Sequence, residues 1–176
     1  QAYISQLEAR QACEHAGKRL CSLVEWSRSC RGSGNTTYPY GPKYEHGRCN
    51  MAQKHILTEL HGDDPMTWTY DDFNDPELIK QGALSKTGSF AGCKNDFELF
   101  DMVGNLHEWV DDRVDASLPS KAPLPRGIAQ TVRRKVGNGV FMGGFFSTVH
   151  QHGHGCEFIT IAHEPRYHDY STGFRC

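Results

Sequence analysis

The amino-acid sequence predicts an α+β fold with short strands, few helices, many ordered loops and covalent staples. Three observations carry this expectation. Two helical signatures fall close together before Arg31, two short apolar runs occur late in the chain, and seven cysteines lie in 176 residues with none in a zinc-knuckle spacing. The length predicts one domain, since domains run roughly 100 to 200 residues.

Taken in order, Leu7, Ala9, Ala12, Cys13 and Ala16 recur at spacings of three and four between Ser5 and Gly17. That spacing makes one face of a helix, and Gly17 is its natural stop. Ser22 followed by Glu25 reads as a capping box that opens a second helix through Trp26 and Cys30. Residues 31–42 mix Gly, Asn, Thr and Pro with tyrosines and read as loop. Residues 50–92 contain Asp-Asp-Pro, Asn-Asp-Pro and several glycines without sustained periodicity, so they read as mostly ordered loop. Three prolines in 116–126 suggest a surface excursion, while Val140 to Phe146 and Phe158 to Ala162 are apolar runs fit for strands. No internal repeat or linker divides the chain.

Composition excludes several classes. With 38% hydrophobic, 11% aromatic and 23% charged residues, the chain reads as globular rather than disordered or collagen-like. No apolar run approaches the ~18 residues of a membrane helix, so no membrane span is expected. Gln1 starts no signal peptide, and any targeting segment is expected to have been removed. A net charge of -2 gives no electrostatic reason to expect nucleic acid. The cysteines (13, 21, 30, 49, 93, 156 and 176) point to disulfides in an oxidising compartment, secreted or periplasmic, and an odd count leaves one thiol over. Asn35-Thr36-Thr37 is a formal glycosylation acceptor that reads more readily as a turn without a glycan.

Several segments form a recognisable set. They are Ala12-Cys13, Ala16-Gly17-Lys18-Arg19-Leu20, Glu25-Trp26, Cys30-Arg31-Gly32, Tyr38-Pro39-Tyr40-Gly41, Cys49-Asn50, the run Asp101-Met102-Val103-Gly104-Asn105-Leu106-His107-Glu108-Trp109, Gly143-Gly144 and Thr172-Gly173-Phe174-Arg175-Cys176. In this order and across nearly the whole chain, they resemble the formylglycine-generating-enzyme, or sulfatase-modifying factor, family. The resemblance implies a fold related to C-type lectins and a single domain over 1–176 lacking the family's N-terminal portion. It also implies disulfides Cys13–Cys176 and Cys30–Cys156. Cys49 and Cys93 then form the remaining pair, with Cys21 free or bonded beyond Cys176.

The resemblance implies calcium as well. The matching ligands are the side chains of Asp101 and Glu108 with the carbonyls of Gly104 and Leu106, and two carboxylates around a glycine turn supply the hard oxygens that Ca²⁺ takes. A second implied site uses Asn50, the carbonyl of Met51 and an aspartate, Asp63 or Asp64. The bland alternative for Asp101 and Glu108 is a turn and a helix-cap acid.

Family enzymes convert a substrate cysteine to formylglycine with copper held by two cysteines after the Gly-Gly strand, and soft thiolates select Cu(I). Here those cysteines fall near Thr148 and Gly153, the usual serine is Phe145 and the usual tryptophan is His107. Formylglycine formation is therefore not expected. In their place His150, His152 and His154 alternate, and alternate side chains of an extended segment share a face roughly 6.5 to 7 Å apart. Together with His107 they would suit copper, iron or zinc. Phe145, Ser147, Thr148, His163, Tyr167, His168 and Tyr170 read as a binding groove, with Asp169 positioned to orient an imidazole and Phe146 and Phe158 as neighbours. Packing under long loops is the competing reading. Glu14 with His15, and His55 with His61, read as solvated faces.

The first functional reading is a secreted or periplasmic family member without formylglycine activity, calcium-stabilised, whose groove binds a protein, peptide or small ligand, or which another chain completes as an assembly subunit. The alternative is a metal-dependent oxidoreductase built on His107, His150, His152 and His154.

Overall fold

The computed structural model describes residues 2–148 and 152–176. Helix α1 (Gln6–His15) starts at Ser5, whose hydroxyl accepts from the Glu8 amide while Glu8 reaches back to the Ser5 amide. Helix α2 (Leu23–Arg31) starts in the same way at Ser22 and Glu25. These boxes satisfy amides that the first helical turn leaves without partners. Both helices lie where the sequence places them.

The stretch 50–92 departs from the loop expectation. It contains α3 (Ile56–His61), α4 (Tyr70–Phe73) and α5 (Glu77–Gln81). Helices of one to two turns are too short for a 3.6-residue period to register. Thr69 with Asp72 forms another capping box, a signal present in the sequence and not used. The segment after β1 (His107–Arg113) is also less superficial than its prolines suggest. It holds the short turns α6 (Leu118–Lys121) and α7 (Arg126–Ala129), and Leu118 is fully buried.

The remaining strands are β2 (Gly139–Met142), β3 (Ile159–Thr160) and β4 (Thr172–Phe174), and the sheet order is β3-β2-β1-β4. β1 pairs antiparallel with β2, Trp109 opposite Phe141, and parallel with β4, His107 opposite Thr172. β2 ends earlier than its apolar run because Gly143 and Gly144 take φ of +84° and +73°. A Cβ at Gly143 would lie 2.6 Å from the Met102 carbonyl oxygen, so the turn needs glycine on both counts.

Side chains alternate across a strand, and this sheet uses both faces. Val110, Val140, Met142 and Ile159 face the main core with Leu23, Trp26 and Cys30 from α2. Trp109, Phe141 and Thr160 are in register across β1, β2 and β3 on the opposite face, with His107 two residues before Trp109 on the same face. A smaller core of Ile56, Leu57, Leu78, Phe146 and Tyr170 stands beside that second face. The N-terminal segment is fastened to β1 by the Gln6 side-chain amide, which donates to the Val110 and Asp112 carbonyls at 2.7 and 2.8 Å. Disulfides join Cys13 to Cys176, Cys30 to Cys156 and Cys49 to Cys93, leaving Cys21 as a half-buried free thiol.

Candidate ligand-binding cleft

The face of the sheet turned from the main core floors a cleft of about 530 Å³. That volume is typical of small-molecule sites. His107, Phe141 and Thr160 come from the sheet, and Phe145, Phe158, Trp68, Phe73 and Tyr170 line the cleft around them. His107 sits inside an aromatic cage, its ring centroid 4.7 Å from Phe141, 5.0 Å from Phe145 and 5.3 Å from Phe158. His163 stacks on Tyr167 at 3.7 Å and lies parallel to Phe141 at 5.8 Å. His55 stacks on Trp68 at 5.4 Å.

Burial holds these imidazoles neutral at physiological pH. It pushes His107 down to about 3, helped by the neighbouring His152 and His163. It pushes His163 down to about 4, helped by Lys135, and lowers His55 and His152. Asp169 is the cleft's carboxyl. It accepts from the Tyr167 hydroxyl at 2.6 Å and from the Ser171 amide and hydroxyl at 2.8 Å, while burial raises its pKa. Three polar atoms in the lining, His107 Nδ1, His152 Nδ1 and Ser147 Oγ, are buried without a hydrogen-bond partner among the described residues. Such groups each cost free energy, so three in one cleft mark where another molecule's polar atoms would fit.

The structure gathers most of the expected groove. Phe145, Ser147, Thr148, His163, Tyr167 and Tyr170 all line the cleft, whereas His168 turns outward to the Tyr70 hydroxyl at 3.1 Å. His55, Trp68, Phe73 and Phe141 complete the walls and were missed, because three of them lie in the stretch read as loop. The reading of His55 and His61 as solvated is overturned: His55 lines the cleft, and His61 lies 3.1 and 3.2 Å from Asp72 and Asp75. The alternating histidines do not share one face. His152 enters the cleft, His154 is exposed on the far side of Gly153 at φ +120°, and His150 lies outside the described residues. Among the described residues no three His, Cys, Asp or Glu side chains form a group able to hold a metal.

The copper positions fail a donor test as well. Thr148 lines the cleft, its Oγ1 accepting from the Phe145 amide at 3.1 Å, and Cys156 is bonded to Cys30. Cys21 is absent from the lining, so no thiol of the described residues faces the cleft. These residues do not fit a bis-thiolate copper ion.

On the other side of β1 the 101–108 loop is built for tight packing. Asp101 and Asn105 adopt left-handed φ of +57° and +62°. The Asn105 side-chain Oδ1 accepts from the Ser85 amide and the Asn50 side chain at 2.9 and 3.0 Å. Burial raises the Asp101 carboxyl, which accepts from the Gly88 amide at 2.8 Å. Glu108 accepts from Trp26 Nε1 at 2.7 Å and from Arg175 at 2.8 and 3.0 Å. The second implied ligand set is not assembled in this way: Asn50 is buried, and Asp64 is exposed and caps its own turn at the Met66 amide.

Residues 1–176 match, end to end, the model of the sulfatase-modifying factor enzyme 1-like domain. The chain belongs to the sulfatase-modifying factor family. Over 111 residues, 62% of its length, it is 31% identical to the formylglycine-generating enzyme of Bos taurus, covering 26% of that protein. Over 116 residues it is 30% identical to the inactive C-alpha-formylglycine-generating enzyme 2 of Bos taurus, covering 65% of this chain and 33% of that one. The formylglycine-generating enzyme of Mycobacterium tuberculosis is 28% identical over 172 residues, 92% of this chain and 51% of that protein. The chain thus spans about a quarter to a half of these relatives. PvdO from Pseudomonas aeruginosa shares the fold, with a TM-score of 0.59 at 17% identity over 98% of this chain and 59% of that one. The α+β expectation and the family resemblance both hold. The three disulfides of this family member follow the expected pairing.

Proposed function

We propose that this chain is a ligand-binding member of the sulfatase-modifying factor family that does not form formylglycine. The observation that carries the reading is the cleft itself, which among the described residues has an aromatic lining, three unpartnered buried polar atoms and no thiol. A family that includes a relative named as inactive supports it. Three disulfides favour work in an oxidising compartment, secreted or periplasmic.

Calcium at the 101–108 loop belongs to the same proposal. The donors fit a hard cation: Asp101 is buried beyond its single amide partner, and Glu108 Oε1 keeps an acceptor position beside Arg175. Gly104 and Leu106 would add carbonyls. Arg175 already balances Glu108, so the loop's need for a cation rests on Asp101.

The test is chemical. The protein is supplied with Cu(I), a thiol reductant and oxygen and incubated with a cysteine peptide of the sulfatase type, and the peptide is read by mass and by hydrazide trapping. An unchanged thiol is expected. Turnover to the aldehyde would refute the reading.

A further inference from the structure

A second cavity, of about 390 Å³, adjoins the cleft and shares His152, Thr160 and Ala162 with it. Pro125, Ile128 and Ile161 make it apolar, and its one cationic side chain is Lys135. The Lys135 ammonium donates to the Ala162 carbonyl at 3.2 Å and has no carboxylate in ion-pairing range among the described residues. Lys54, Lys80, Lys94 and Lys121 each meet a carboxylate at 2.8 Å or less. Lys135 is thus a solvent-accessible cation beside an apolar cavity, without an ion-pair partner among the described residues. Among the described residues the aromatic cleft has no lysine or arginine in its lining, and its carboxyl, Asp169, already accepts three hydrogen bonds.

Resting on the cleft as the binding site, we infer that its ligand is an elongated small molecule with an uncharged aromatic body and one anionic end. The body lies among Phe141, Phe145, Phe158 and Trp68. The molecule then passes Thr160 and Ala162 and sets its carboxylate or sulfonate on Lys135. The division follows from desolvation. An anion left among the aromatic walls would meet only the neutral groups of Ser147, His107 and His152, while an anion on Lys135 gains a charge-assisted hydrogen bond from an ammonium.

The experiment uses two fluorescent probes, anilinonaphthalene sulfonate and its uncharged parent N-phenylnaphthylamine, titrated into the native chain and into Lys135→Gln, Phe145→Ala and Ala162→Trp. Ala162 is exposed at the junction, so its replacement narrows the passage without entering the core. Both probes should bind with blue-shifted emission. Lys135→Gln should weaken the sulfonate about tenfold and leave the amine unchanged, matching the loss of one charge-assisted hydrogen bond. Phe145→Ala should weaken both, and Ala162→Trp the sulfonate more than the amine. If Phe145→Ala weakens both probes while Lys135→Gln changes neither, the two-part ligand is wrong and the cleft reading stands. If neither probe responds to Phe145→Ala, with that variant folded by circular dichroism, both fall. Should Phe145→Ala fail to fold, equal response of the two probes to Ala162→Trp overturns the inference by itself.

Discussion

Arg175 closes on Glu108 with hydrogen bonds of 2.8 and 3.0 Å, while Trp26 Nε1 takes the same carboxylate at 2.7 Å. The contact joins the residue after β4, the start of β1 and helix α2, so a short C-terminal motif locks three elements together. Removing one partner of a buried pair strands the other charge. Arg175→Met should therefore lower stability by about 3 kcal/mol, at the low end of the range for buried pairs because Trp26 remains. Glu108→Leu combined with Arg175→Met should recover part of the loss. Urea denaturation of the three variants decides it, and a double variant less stable than the sum of the singles would contradict the account.

Calcium should raise the melting temperature of chelator-treated protein, since a ligand that binds only the folded state stabilises it by mass action. Asp101→Asn should abolish most of that shift, and Asp64→Asn should leave it intact. A calcium response unchanged in Asp101→Asn would remove the ion from the 101–108 loop.

The buried histidines predict acid sensitivity with a definite sign. His107 and His163 titrate near 3 and 4 in the folded protein, below the ~6.5 of an unfolded imidazole. Between those values the unfolded chain binds protons that the folded one refuses, so stability falls as pH drops below about 6.5 and levels off near 3 to 4. The slope is up to about 1.4 kcal/mol per pH unit for each histidine. Burial raises Asp101 and Asp169 and acts in the opposite sense, so the informative quantity is a difference. His163→Phe, which keeps a ring between Tyr167 and Phe141, should lose one histidine's share of the slope. Equal slopes in denaturation series from pH 7 to 4.5 would sink the prediction.

Replacing Cys49 and Cys93 by serine should cost about 4 kcal/mol in the loop-entropy model, against about 5 for Cys13 with Cys176 or Cys30 with Cys156. The Cys49–Cys93 variant should also weaken calcium binding more than the others. Cys93 accepts the Asp101 amide at 3.1 Å, and Asn50, next to Cys49, accepts the Asn105 amide at 2.9 Å. Calorimetry with and without calcium separates the two effects.

Local signals in the chain determined a good part of this protein. Ser5 with Glu8 and Ser22 with Glu25 cap helices through neighbours three residues away, so their partners are legible in one dimension. The family motifs carried two of the disulfide pairs and left Cys49 with Cys93, while the aromatic and polar residues from Phe145 to Tyr170 carried much of the cleft. Tertiary structure decided the rest. β1 was not legible as a strand because His107 to Val110 are buried on both faces, which erases the alternation that marks a half-buried strand. His55, Trp68 and Phe73 belong to the cleft only because α3 and α4 pack beside the sheet, a contact without local pattern. His152 and His154 part company at Gly153, whose backbone breaks the extended path that two-residue spacing assumes. Periodicity and capping report interactions a few residues apart, whereas a binding cleft is made of groups brought together by burial from distant parts of the chain.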